Sequence, residues 1–231
     1  AYFLTLRQPG IHNPHEDQRE AGQDHKYIMH HGVQTIKRAE EALGGALPRE
    51  MESFLVKCDD FYFNARIAAE LGARALGIEK ILLPEDEEND VHLLRVIDYI
   101  ASDSEELGEA HFDRSTVTMA CGESSPGLRG LPADNGFLKP VDDEVERQLS
   151  RGLKPIRHYE GVAKFFAAAG LRRLPEEIRS KNSLDDTPLL AHDIINERPG
   201  ENRQAVVMFF NPHINFSDYM VPGKDETRVM V

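Results

Sequence analysis

From position 91 onward the chain carries seven short β-like runs, 91–100, 110–121, 127–131, 136–140, 161–169, 189–195 and 205–210, separated by Gly, Pro, Asp and Ser. Many short strands punctuated by turn residues are the pattern of a β-sandwich or jelly roll. The front of the chain reads differently. Between residues 16 and 43, Met29, Val33, Ile36 and Leu43 recur at helical spacing, and Gly44-Gly45 supplies a stop. From Pro48, a good first-turn residue, a second apolar stripe of Met51, Phe54, Leu55, Cys58, Phe61, Tyr62, Ala65 and Ala69 runs to Gly72. This amphipathic helix is expected to pack on the outside of a sheet, with its aromatics as core. The expected class is therefore mainly β with flanking α-helices, the helical N-terminal part packed on the sheet.

At 231 residues the chain suits one domain, 1–231, with a helical front over 1–80 and a β core over 90–215. A charged segment, DDEVERQLSRG, marks an insertion at about 141–160, read as a helix near the mouth of the core. A hydrophobic fraction of 40% with 29% charged residues is that of a soluble globular protein. No run of about eighteen apolar residues is present, so no membrane span is expected. The opening AYFLTLRQPG has neither the basic region nor the apolar core of a signal peptide, and the two cysteines, Cys58 and Cys121, read as buried thiols rather than a disulfide. Cytoplasmic location follows as the expectation. A net charge of −13 without a basic cluster disfavours a nucleic-acid partner, because phosphate binding needs a positive surface. The acidic stretch PEDEEND at 84–90 reads as a solvated loop.

The chemistry-bearing pattern is His111-Phe112-Asp113, followed 81 residues on by His192 (192 − 111 = 81). Two imidazoles and one carboxylate form the facial triad of non-heme Fe(II) sites. On a strand, alternate side chains share a face, so His111 and Asp113 are expected to project together with Phe112 turned away. The third ligand must then come from a strand distant in sequence. Eleven residues after His192 stands Arg203 (203 − 192 = 11), a guanidinium suited to gripping a dicarboxylate. A turn signal, Pro199-Gly200-Glu201-Asn202, separates the two.

In this order the residues resemble the isopenicillin N synthase-like branch of the 2-oxoglutarate and Fe(II)-dependent oxygenases, over roughly 50–215. LLRVIDYIASDSEELGEAHFDRSTVTMACGESSPGLRGL is similar to the family's tyrosine-bearing, H-x-D, threonine-rich and Gly-Leu strands, and LLAHDIINERPGENRQAVVMFFNP to its distal-His strand, hairpin and arginine strand. The resemblance implies a double-stranded β-helix (jelly roll) holding Fe(II) through His111, Asp113 and His192. It further implies 2-oxoglutarate and O2 as cosubstrates, with Arg203 gripping the far carboxylate and Tyr99 donating a second hydrogen bond to it. Succinate and CO2 would be co-products, and hydroxylation of a small-molecule substrate the default outcome. The chain departs from the family's Arg-x-Ser in carrying Ala205, which removes a hydroxyl from the cosubstrate site. An oxidase of the isopenicillin N synthase type, without 2-oxoglutarate, and a non-catalytic binder on the same fold are the alternatives.

Arg157, His158 and Tyr159, beside the insertion, are candidate contacts for a substrate carboxylate. A rival metal site is suggested by His12, His15, Glu16, Glu20, His25, His30 and His31, because carboxylates and His on helices build diiron centres. That site needs Glu-x-x-His pairs, and none occurs in the first eighty residues. Oligomeric state and substrate identity are not encoded in any motif.

Overall fold

The computed structural model describes residues 26–82, 90–101, 103–133, 154–155 and 163–213, and its first element is a strand where the apolar spacing predicts helix. Strand β1, Lys26–His31, pairs antiparallel with β2, Leu93–Tyr99, setting Met29 opposite Val96 and His30 opposite Arg95. Burial along β1 follows a period of two toward its end, with Met29 and His31 inside. The helical spacing of Met29, Val33 and Ile36 loses because β2 would otherwise present a row of unpaired N–H and C=O groups. Helix begins only at α1, Thr35–Leu43, and stops where expected, at Gly44 in the left-handed region (φ 72°).

Helix α2, Arg49–Leu76, starts after Pro48 and carries Glu50 and Glu52 in its first turn and Arg74 in its last, charges that suit the helix dipole. Met51, Leu55, Cys58, Tyr62, Ala65, Ala69 and Ala73 form its buried seam, whereas Phe54 and Phe61 are exposed, so the seam is narrower than the apolar stripe. Gly72 does not end the helix. A Cβ there would lie 2.5 Å from Cε1 of Phe165, so this glycine makes room for an aromatic ring. The stop comes at Gly77 (φ 68°), before the single turn α3, Glu79–Leu82. Each large side chain of the seam that is wholly removed from water, such as Leu55 and Tyr62, contributes on the order of 2 kcal/mol.

The β core continues through β3 (Glu106–His111), β4 (Val117–Glu123), β5 (Leu128–Ala133), β6 (Lys154–Pro155) and β7 (Lys164–Ala167). A 3₁₀ turn at Ala169–Arg173 and helix α4, Glu176–Lys181, lead to β8 (Leu189–Ile195) and β9 (Arg203–Phe210). The strands run in the order β1-β2-β9-β4-β7-β8-β5-β6, with β3 also paired to β8. All pairings are antiparallel except a single parallel bridge, Ala167 to Leu189, between β7 and β8. Two antiparallel groups, β1-β2-β9-β4-β7 and β3-β8-β5-β6, therefore meet along one seam, an order consistent with a jelly roll.

The run 110–121 is not one strand, because the chain turns between His111 and Val117. Residues 136–140, most of the 141–160 insertion, and Arg157, His158 and Tyr159 lie outside the described residues, and so does all of the His-rich front before Lys26. Cys58 and Cys121 are free thiols. Among the described residues no helix is long and apolar enough to cross a membrane.

Candidate metal centre

Strand β3 carries His111 at its last position, directly opposite His192 of β8. Asp113 does not share the strand with His111 but follows it in the turn. That turn is clasped by the 3₁₀ segment: Ala169 N–H donates to the Asp113 carbonyl (2.8 Å), Gly170 N–H to the Ser115 carbonyl (2.8 Å), and Ala168 N–H to the Thr116 carbonyl (3.1 Å). Phe112 turns into the main core as alternation predicts, and Asp113 returns toward His111.

The three side chains converge. His111 Nε2 lies 3.4 Å from Asp113 Oδ1, His192 Nε2 lies 3.7 Å from Asp113 Oδ2, and one ligand-type atom of each residue lies within 4.8 Å of the others. Asp113 and His192 are buried, whereas the His111 side chain is 42% exposed and opens the site on one side. Burial alone would raise the Asp113 carboxyl, but His192, His111 and a hydrogen bond from Thr118 hold it well below the usual carboxylate range. Burial also lowers His192, against the pull of Asp113, favouring the neutral imidazole that a metal needs. His192 Nδ1 faces the Leu190 carbonyl at 3.4 Å, which directs Nε2 inward. Asp113 Oδ2 is buried without a hydrogen-bond partner. A carboxylate oxygen so placed costs a desolvation penalty that a cation would offset, so the donor set fits a divalent metal of the imidazole-and-carboxylate class.

The same cavity is lined by Tyr99, Arg95, Arg203 and Ala205. Arg203 stands opposite Tyr99 in the β2–β9 register, with its guanidinium 5.3 Å above the Tyr99 ring. It is not free for a bidentate grip: Nη2 bonds the Glu123 carboxylate, and Nε approaches the Pro126 carbonyl at 3.4 Å. Nη1 is buried with no hydrogen-bond partner and remains for a ligand. Glu123, which also bonds Lys164, is invisible as a partner in sequence because it precedes Arg203 by 80 residues. Gly127 (φ 142°) closes this corner, and a Cβ there would fall 2.5 Å from the Ile195 carbonyl oxygen. Arg95 is a further residue that the motifs do not single out. Counting back in twos from Tyr99 along β2 finds it, since 95, 97 and 99 share a face.

A second group, Asp90, His92 and His213, also brings ligand-type atoms within 4.8 Å. Here part of the donor set is already engaged, although His92 Nε2 and His213 Nε2 are buried without a hydrogen-bond partner. Asp90 Oδ2 is ion-paired with Arg66 at 3.1 Å, Asp90 Oδ1 accepts from His92 N–H at 2.9 Å, and His92 Nδ1 accepts from Asn211 N–H at 3.2 Å. The group links α2, the approach to β2 and the end of β9. The Asp90 side chain is thus buried, with Arg66 ion-paired to it and His213 Nε2 3.4 Å away, while the rest of the 84–90 stretch, expected to be a solvated loop, lies outside the described residues.

No family model matches the sequence, and no curated protein matches it. Solved structures do share the fold. A full-length Neurospora crassa protein in complex with alpha-KG superposes with a TM-score of 0.55 at 14% identity, covering 90% of this chain and 60% of that one. The same protein in complex with alpha-KG and thymine gives 0.53 at 14% identity, covering 90% and 61%. The dioxygenase for auxin oxidation from rice gives 0.51 at 13% identity, covering 80% and 55%. The chain thus spans about three fifths of the length of these structures.

Proposed function

We propose that the chain is a non-heme Fe(II)- and 2-oxoglutarate-dependent dioxygenase on a double-stranded β-helix, of the isopenicillin N synthase-like branch, acting on a C–H bond of a small molecule. The observation that carries this reading is the convergence of His111, Asp113 and His192 around the unpartnered Asp113 Oδ2, inside a cavity that also holds Arg203 Nη1. The alpha-KG in the Neurospora structure that shares this fold supports the choice of cosubstrate. When bound, iron and 2-oxoglutarate supply the oxidising power, with succinate and CO2 as co-products and hydroxylation as the default outcome. The chain's own residues do the rest. His111, Asp113 and His192 hold the metal on one face. Arg203, stacked on Tyr99, presents Nη1 to the far carboxylate of the cosubstrate. Phe166 packs its edge on His192 at 5.2 Å and helps keep water from the site.

Anaerobic titration of 2-oxoglutarate into the Fe(II) protein is expected to produce metal-to-ligand charge-transfer absorption, and His192→Ala to abolish it. A wild-type protein that binds Fe(II) yet gives no such band would refute the cosubstrate assignment. A second reading, an oxidase working without 2-oxoglutarate, is favoured by the Glu123 carboxylate on Arg203 and by Ala205. Oxygen uptake measured with and without 2-oxoglutarate separates the two.

A further inference from the structure

We propose that Arg95 binds a carboxylate of the substrate, so that the molecule oxidised in this cavity is a small organic anion. The inference rests on the reading of His111, Asp113 and His192 as the metal centre. Arg95 lines the same cavity as those residues, from the opposite group of strands. Its guanidinium is held in place from two sides. Nε donates to His30 Nε2 at 2.9 Å, from the residue directly opposite on β1, and the plane lies 4.6 Å over the ring of Phe209, diagonally across on β9. The two terminal nitrogens make no hydrogen bond, and no carboxylate lies at ion-pair distance, among the described residues. This differs from Arg203, which has Glu123.

A half-buried guanidinium with no carboxylate at ion-pair distance is costly. Burial depresses its basicity, and the field of Asp113 is the first influence that opposes this. The guanidinium of Arg95 is therefore open to an anion that enters the cavity it lines. Its planar fork, fixed by His30 and Phe209, matches a carboxylate bidentately. The neighbouring walls are apolar, formed by Ile28, Ile97, Phe166 and Phe209. A carboxylate at one end and an apolar body beside the metal are what the cavity accommodates.

The test uses benzoate, phenylacetate, 3-phenylpropionate, butyrate and hexanoate, each against its primary amide. They are titrated calorimetrically into the anaerobic Fe(II) protein saturated with 2-oxoglutarate, and again without metal and cosubstrate. At least one acid is expected to bind about tenfold or more tighter than its amide, and Arg95→Met to bring that ratio to about one. Arg95→Lys, which keeps the charge and the stem, is expected to retain part of the preference and covers the case in which Met unfolds the protein. The inference is overturned if no acid exceeds its amide, or if the preference survives unchanged in both variants. It is also overturned if Arg95→Met loses the 2-oxoglutarate absorption band while Arg203→Met keeps it, for Arg95 would then be the cosubstrate anchor. A wild type that lacks the band but shows an Arg95-dependent acid preference would remove the cosubstrate reading and leave the anion site standing.

Discussion

Glu123 decides how Arg203 works. The carboxylate holds Nη2 and also accepts from Lys164, so on the proposed reading a cosubstrate would meet a guanidinium that is already half engaged. Arg203→Met should weaken 2-oxoglutarate by about a hundredfold, on the order of 3 kcal/mol, while Fe(II) affinity is retained. The same change takes its guanidinium partner from the Glu123 carboxylate, so thermal stability should fall as well. Glu123→Gln combined with Arg203→Met separates the effects: the double variant should recover melting temperature but not 2-oxoglutarate binding. Recovery of both would show that Arg203 acts only through the fold. Glu123→Gln alone should tighten 2-oxoglutarate, because it removes the internal competitor.

At the scale of elements, the turn after β3 matters most. Gly170 packs where a Cβ would fall 2.4 Å from the carbonyl oxygens of both Arg114 and Ser115, which are backbone atoms that cannot swing aside. Gly170→Ala should therefore displace the turn that carries Asp113, costing roughly 1–3 kcal/mol of stability. Isothermal titration should also show Fe(II) binding weakened by about tenfold or more; metal binding unchanged alongside a lowered melting temperature would mean that the turn is not what positions Asp113. Much of this architecture is legible in the sequence, since β8, the start of α2 at Pro48 and the stop at Gly44 follow from apolar runs, proline and glycine alone. The sequence nonetheless points to Gly72 rather than Gly77 as the end of α2, because nothing local says that Phe165, 93 residues on (165 − 72 = 93), needs the space. Strand β1 is illegible for a related reason, its state being set by the open edge of β2 rather than by its own spacing. His111 and His192 can be picked out by residue type, but their facing register, and the partners Glu123 and Arg95, depend on pairings across the sheet.

On the scale of the whole molecule, acid should unfold the protein through His92. This imidazole is 2% exposed, where helix α2, β2 and the end of β9 meet, and burial, opposed by Asp90, pulls its pKa down to about 4. The unfolded chain takes up a proton near 6.5 that the folded protein refuses until about 4. Stability is thus full above about 6.5 and falls as pH drops toward 4, by on the order of 3 kcal/mol from this group. Urea midpoints at pH 7 and pH 4.5 should show that loss, and His92→Gln should shrink it; an equal loss in the variant would place the acid sensitivity elsewhere. The facing register of His111 and His192 has a consequence of another kind. An ion seated between them, as proposed, would be a reversible cross-link pinning together two chain segments 81 residues apart (192 − 111 = 81). Because it binds only the folded form, its free concentration sets how hard the link pulls: at a hundred times the dissociation constant, about 2.7 kcal/mol. The melting temperature of this protein should therefore climb with the logarithm of free Fe(II) under anaerobic conditions. In His192→Ala it should stay flat, which makes heat resistance itself a gauge of metal supply.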